Sequence, residues 1–106
     1  MASEFFAINL KKGKEIEKEN FIILDTETTG LDNDDEVIEL SIVNQDNQIL
    51  LNERFKPLKN EFKKATKIHG IEFNDLKDCP LFIDFIPQIN HILSNYEKCY
   101  IYNSVF

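Results

Sequence analysis

Apolar and polar positions along the 106-residue chain fall into blocks of two periods. Phe21-Ile22-Ile23-Leu24 is an unbroken apolar run that ends abruptly in Asp25, which reads as a buried strand covered on both faces. After the turn-forming Asp32-Asn33-Asp34-Asp35, Ile38, Leu40 and Ile42 alternate with Glu39 and Ser41, predicting a second strand from about Glu36 to Asn44. Gln45 to Gln48 is a second tight turn. It leads to a third strand over Ile49–Phe55, with Ile49, Leu51 and Phe55 on one face and Glu53 as the exception. Short connections between the three predict an antiparallel meander.

Beyond Pro57 the period becomes helical. A short helix is expected over Glu61–Ile68, stopped by Gly70. Asp78 followed by Pro80 has the form of an N-cap with proline in the first turn, opening a helix that runs to about Ser94. Phe82, Phe85, Ile86, Ile89, Ile92 and Leu93 carry its apolar face, and Pro87 should kink it or start it afresh. Tyr100-Ile101-Tyr102 reads as a fourth strand, parallel to the first because a helical crossover leads into it. The sum is an α/β sheet. Residues 1–20 form a separate N-terminal extension: Glu4 to Leu10 suits a strand or a helix turn, and Lys11 to Asn20 is a charged loop or frayed helix.

Composition adds limits rather than detail. At 42% hydrophobic and 29% charged, the chain is one globular domain at most. Nothing is apolar enough to span a membrane, and no signal peptide is evident, so a cytoplasmic location is expected. Cys79 and Cys99 are then expected as two reduced thiols, with no zinc-ligand spacing. A net charge of −7 argues against gripping nucleic acid through a broad basic surface. Lys56, Lys59, Lys63, Lys64 and Lys67 are a local exception, readable as a solvated helix face or as a phosphate-facing patch.

The chemistry concentrates where the first strand ends. Residues two apart on a strand share a face, so Asp25 and Glu27 stand side by side. Adjacent carboxylates repel unless a cation or proton lies between them, and hard oxygen donors suit magnesium or manganese. The full string Asp25-Thr26-Glu27-Thr28-Thr29-Gly30-Leu31 resembles the first motif of the DEDD exonuclease superfamily, which includes the proofreading epsilon subunit of bacterial DNA polymerase III. The likeness continues through Glu36-Val37-Ile38-Glu39-Leu40 and Ile68-His69-Gly70-Ile71. It ends in Tyr102-Asn103-Ser104-Val105-Phe106, which resembles the start of the second motif and has Tyr102 where His is more frequent.

That resemblance implies a ribonuclease-H-like fold, with residues 21–106 as the N-terminal portion of an exonuclease domain that is incomplete at its C-terminus. It also implies hydrolysis at a nucleic-acid 3′ end, DNA favoured over RNA, through two Mg2+ or Mn2+ ions. Asp25 and Glu27 would be the first two of four carboxylate ligands. Thr28, Gly30, Leu31 and His69 would lie along the terminal nucleotide, although His69 before a helix-ending Gly equally suits a capping role. The third carboxylate would follow Phe106, so a complementing chain, a homodimer or a DNA polymerase becomes an expected partner. The chain alone is expected to hold a crippled metal site and to leave the apolar face of its fourth strand exposed. His91 reads as a surface helix residue, and Glu39 as a polar-face residue or a structural hydrogen-bonding group near the site.

Two other classes remain. One is an inactive exonuclease-like domain used for binding or assembly. The other is a calcium loop, since Asp25, Glu27, Thr29, Gly30 and Glu36 occupy five places of that pattern. The strand-like entry and Asp32 at an ordinarily apolar place count against calcium.

Overall fold

The run that begins at Phe21 becomes the middle strand of a five-stranded sheet in a computed structural model that describes residues 2–9 and 20–105, with side chains from 20 to 102. The strands are β1 (Ala2–Asn9), β2 (Phe21–Thr28), β3 (Val37–Asn44), β4 (Ile49–Arg54) and β5 (Lys98–Val105), in spatial order β1-β5-β2-β3-β4. β2, β3 and β4 form the antiparallel meander, and β5 lies parallel to β2. This is the mixed sheet expected of a ribonuclease-H-like fold. The expected charged loop over residues 11–19 lies outside the described residues.

Alternation along the strands sorts the two faces. Ile22, Leu40, Ile42, Leu51, Phe55 and Cys99 are buried with Ile89 of α3 (Ile86–Ser94), and Phe82, Phe85, Ile92 and Leu93 pack on them. Phe55 is fully buried between the rings of Phe82 and Phe85, with centroids 5.2 and 5.4 Å away. A second cluster joins Ile38 to Phe62, Ala65, Ile71 and Leu76 from the segment holding α1 (Lys63–His69) and α2 (Phe73–Leu76). The helices thus cover the even-numbered face of β2 and β3, leaving the odd-numbered face, with Asp25 and Glu27, open to chemistry.

Three local expectations are corrected. Asp78 caps no helix: a 3-10 turn at Phe82–Phe85 comes first, and α3 begins at Ile86 with Pro87 in its first turn. Proline lacks the amide that a helix interior needs, so the helix opens with Pro87 in its first turn rather than running through it. Pro80 is instead tied to the end of β4, its carbonyl accepting from the Lys56 amide at 2.9 Å. α2 was not expected. It is one turn closed by a reciprocal capping box between Glu72 and Asp75, too short to give a periodic signal. Finally, the apolar face of the fourth strand is not left exposed: Cys99 of β5 is buried and Ile101 packs on the core, and β1 pairs antiparallel along the outer side of β5 from Ala2↔Val105 to Asn9↔Lys98. The backbone edge of the fourth strand is therefore taken up within the chain.

Ile49 also departs from expectation: the β3–β4 register shifts between Ile42 and Val43, so Ile49 is 69% exposed and does not share the buried face of Leu51 and Phe55. The helix stop and the reading of His91 and the cysteines hold. Gly70 follows α1 at φ 77°, a left-handed position that glycine adopts without a Cβ clash. His91 is exposed, and both cysteines are free.

Candidate active site

β2 presents Asp25 and Glu27 on one face, and strand register supplies their neighbours. Asp25 lies between Tyr102 of β5 and Ser41 of β3. Glu27 stands opposite Glu39 of β3, which stands opposite Arg54 of β4. The result is a row across three strands, Glu27–Glu39–Arg54, with Asp25 two residues away on the same face. Arg54 Nε donates to Glu39 Oε2 at 2.7 Å.

This crowding has electrostatic consequences. Partial burial pushes the Asp25 carboxyl above its ordinary range, and the charge of Glu39 pushes it further, while the Thr26 amide acts against both. Glu27 is raised by burial first and then by Asp25 and Glu39, with His69 opposing. Like charges opposite one another weaken a sheet, and a cation between these oxygens would relieve the repulsion. The donor set is all carboxylate oxygen, which fits a hard divalent ion.

The turn after β2 is built to a fixed shape. Thr28 Oγ1 donates to the Gly30 carbonyl at 2.7 Å, and the Thr29 hydroxyl donates to Asp35 Oδ1 at 2.8 Å while accepting from the Glu36 amide at 2.9 Å. Asp35 also accepts from the Asp32 amide at 2.9 Å and from Lys59 Nζ at 2.7 Å. Lys59, then Thr29 and the Asp32 amide, hold the Asp35 carboxyl below its usual range. Gly30 is required by this packing, since a Cβ there would come within 2.8 Å of Asp35 Cγ and closer still to Oδ2. Leu31 projects outward, 60% exposed.

His69, the last residue of α1, reaches this turn. The Ile71 amide donates to its Nδ1 at 3.1 Å, so Nε2 carries the proton and donates to the Thr28 carbonyl at 3.0 Å. The imidazole is thereby a latch between the Ile68-His69-Gly70-Ile71 segment and the first motif. Thr28, Gly30, Leu31 and His69 accordingly all lie at the carboxyl end of β2.

The calcium-loop alternative does not survive this geometry. Asp25 and Glu27 belong to a paired strand, and both oxygens of Glu36 accept from the amides of Leu58 (2.8 Å) and Lys59 (2.9 Å). Among the described residues, the only three acidic side chains with ligand atoms all within 4.8 Å of one another are Asp32, Asp34 and Asp35. Asp35 is already committed to Thr29, Asp32 and Lys59. The lysine cluster divides: Lys59 binds Asp35, Lys63 lies 3.6 Å from Glu61, and Lys56, Lys64 and Lys67 are exposed.

Glu39, expected on a polar face or as a hydrogen-bonding group near the site, accepts from Arg54 there. Its place opposite Glu27, which depends on register, and the part of Arg54 escaped sequence reasoning. Arg54 depends on a second register, between β3 and β4.

Comparison with known proteins decides the family. The profile of the RNase T exonuclease family matches residues 22–106. The chain belongs to this exonuclease family. An uncharacterised exonuclease of Escherichia phage 186 is 32% identical over 86 residues, covering 81% of this chain and 44% of that protein. The DNA polymerase III subunit epsilon of Rickettsia conorii is 35% identical over 91 residues, covering 80% and 39%. That of Rickettsia typhi is 43% identical over 67 residues, covering 58% and 29%. The chain spans less than half the length of these curated relatives. It is a DEDD-type exonuclease sequence carrying the first motif, and exonucleases of this family typically use divalent metals.

Proposed function

We propose that the chain is part of a metal-dependent 3′–5′ exonuclease acting on nucleic-acid 3′ ends, with DNA favoured over RNA. The observation that carries this reading is the Asp25–Glu27 pair, held on the open face of the middle strand and crowded by Glu39. Magnesium or manganese, when bound, would lower the pKa of an attacking water and stabilise charge on the attacking and leaving oxygens. Asp25 and Glu27 would hold the ions. Thr28, Gly30 and Leu31 would line the terminal nucleotide, with His69 fixing the turn that presents them. Residues 1–20 are read as an extension of the exonuclease portion at 21–106.

The likeness to epsilon subunits supports DNA as substrate and a polymerase as partner. Among the described residues no helix is long and apolar enough to cross a membrane. A cytoplasmic place fits a partner of the replicative kind.

A second reading, an exonuclease-like domain used for binding or assembly, is favoured by one observation. Among the described residues, no third acidic side chain closes on Asp25 and Glu27 within ligand distance. One assay separates the two: a 5′-labelled single strand with manganese, comparing the chain with Asp25→Ala. A ladder lost in the variant supports the exonuclease, and a ladder that persists overturns it. No ladder from either protein, with manganese-dependent strand binding that Asp25→Ala abolishes, favours the binding reading.

A further inference from the structure

The acidic row ends in the sole arginine of the chain. Arg54 uses its Nε on Glu39, and among the described residues no other hydrogen bond from its guanidinium is present. Arginine carries five donors in a planar fork, so one bond through Nε leaves both Nη groups available to an oxyanion. The Arg54 side chain is 45% exposed and Glu39 30% exposed. An ion pair that open contributes little to stability, so a structural reading accounts poorly for it. What the pair does achieve is direction. Glu39 holds the guanidinium on the face that carries Asp25 and Glu27, two strands from β2, a span of roughly 10 Å. Of the other cations near this end, Lys59 lies on Asp35 and Lys63 faces Glu61, while Lys56, Lys64 and Lys67 are exposed and, among the described residues, lack a comparable carboxylate to aim them.

We propose that Arg54, aimed by Glu39, binds a phosphate of the substrate strand beside the one at Asp25 and Glu27. This rests on the exonuclease reading and adds a positioning contact to it. The chemistry is complementary. An acidic site has to receive a polyanion, and a forked cation beside the carboxylates would fix the register of the strand without neutralising the ligands. Glu39 then has two effects, repelling the neighbouring carboxylates and orienting the arginine.

The test uses the full chain with manganese and a fluorescent oligothymidylate protected by a 3′-terminal phosphorothioate, read by anisotropy over a salt series. Arg54→Ala should weaken binding roughly tenfold. It should also lower the slope of log affinity against log salt by about one. Arg54→Lys should recover the slope but only part of the affinity, because it keeps the charge and loses the fork. Thermal melts should place both variants close to the parent chain, since the pair is exposed. Oligonucleotides carrying one neutral methylphosphonate at successive positions then locate the contact. One position should weaken binding to the parent chain and cost nothing further in Arg54→Ala. Equal affinity and slope in Arg54→Ala, or a methylphosphonate profile unchanged by it, overturns the assignment while leaving the exonuclease reading standing. Failure of the parent chain to bind any strand overturns both.

Discussion

Substituting Gly30 with alanine isolates the role of the turn that closes the first motif. The added Cβ would collide with the Asp35 carboxylate, which Thr29 and the Asp32 amide hold by bonds of 2.8 and 2.9 Å. Asp35 has to swing away, weakening both. Hydrogen bonds to a charged group contribute about 1.5–3 kcal/mol each, and a swung carboxylate keeps part of that, so the loss is roughly 2–3 kcal/mol. The Lys59 bond is part-buried, but its long flexible side chain can follow the displaced carboxylate, so it adds little to the loss. Against the loss stands about 0.4–1 kcal/mol from the reduced freedom of the unfolded chain when glycine becomes alanine. The expected net cost is about 1–2 kcal/mol, or roughly 5–15 °C in a domain of this size. The assay is thermal or urea unfolding of four proteins: parent, Gly30→Ala, Asp35→Ala and the double variant. Because the collision is with Asp35, Gly30→Ala should cost less than about 0.5 kcal/mol in the Asp35→Ala background. An equal cost in both backgrounds would refute the reasoning and place the strain in the backbone.

Replacing both metal-facing carboxylates, Asp25→Asn with Glu27→Gln, should stabilise the chain at neutral pH without metal. Their folded-state pKa values are raised, so the native state binds more protons than the unfolded state and its stability falls as pH climbs through that window. The gain in melting temperature should vanish below about pH 4, where the carboxyls are protonated in both states, and a gain that does not change with pH would refute this. Asp35 works in the opposite sense: its carboxyl is lowered, and the stability it confers is lost as pH falls through that lowered value. Asp35→Asn should therefore flatten the acid side of the stability profile. His69→Ala should cost about 1–2 kcal/mol through the orphaned Thr28 carbonyl and Ile71 amide, with His69→Gln intermediate; unfolding that matches the parent chain would show the latch to be idle.

What could be read from sequence followed from short-range physics. Period-two alternation marked β3 and placed Asp25 beside Glu27, and Gly70 marked the end of α1 because only a glycine suits that position without strain. Asp78 misled because a proline two residues on imitates a helix start, whereas Pro87 sets the real one. β1 had no readable partner, since its pairing with β5 links the two ends of the sequence. The same limit hid the acidic row: Glu27, Glu39 and Arg54 are neighbours only through register, and β2 and β3 shift register between Glu27 and Thr28. His69 could be recognised as a candidate, but its bond to Thr28 spans 41 positions and no local pattern encodes it.

The order of the strands also carries a schedule for assembly. The row of Asp25, Glu27, Glu39 and Arg54 is contained in the β2–β3–β4 meander, whose contacts close short loops. The flanking pairs, β5 on β2 and β1 on β5, join segments distant in sequence and pay a larger loop-closure entropy before any contact rewards them. The chemically costly part of the sheet can therefore form first, from nearby residues. The distant strands then arrive on a template whose charged face is already set, so substitutions in the meander should slow folding, and those in β1 should mainly hasten unfolding.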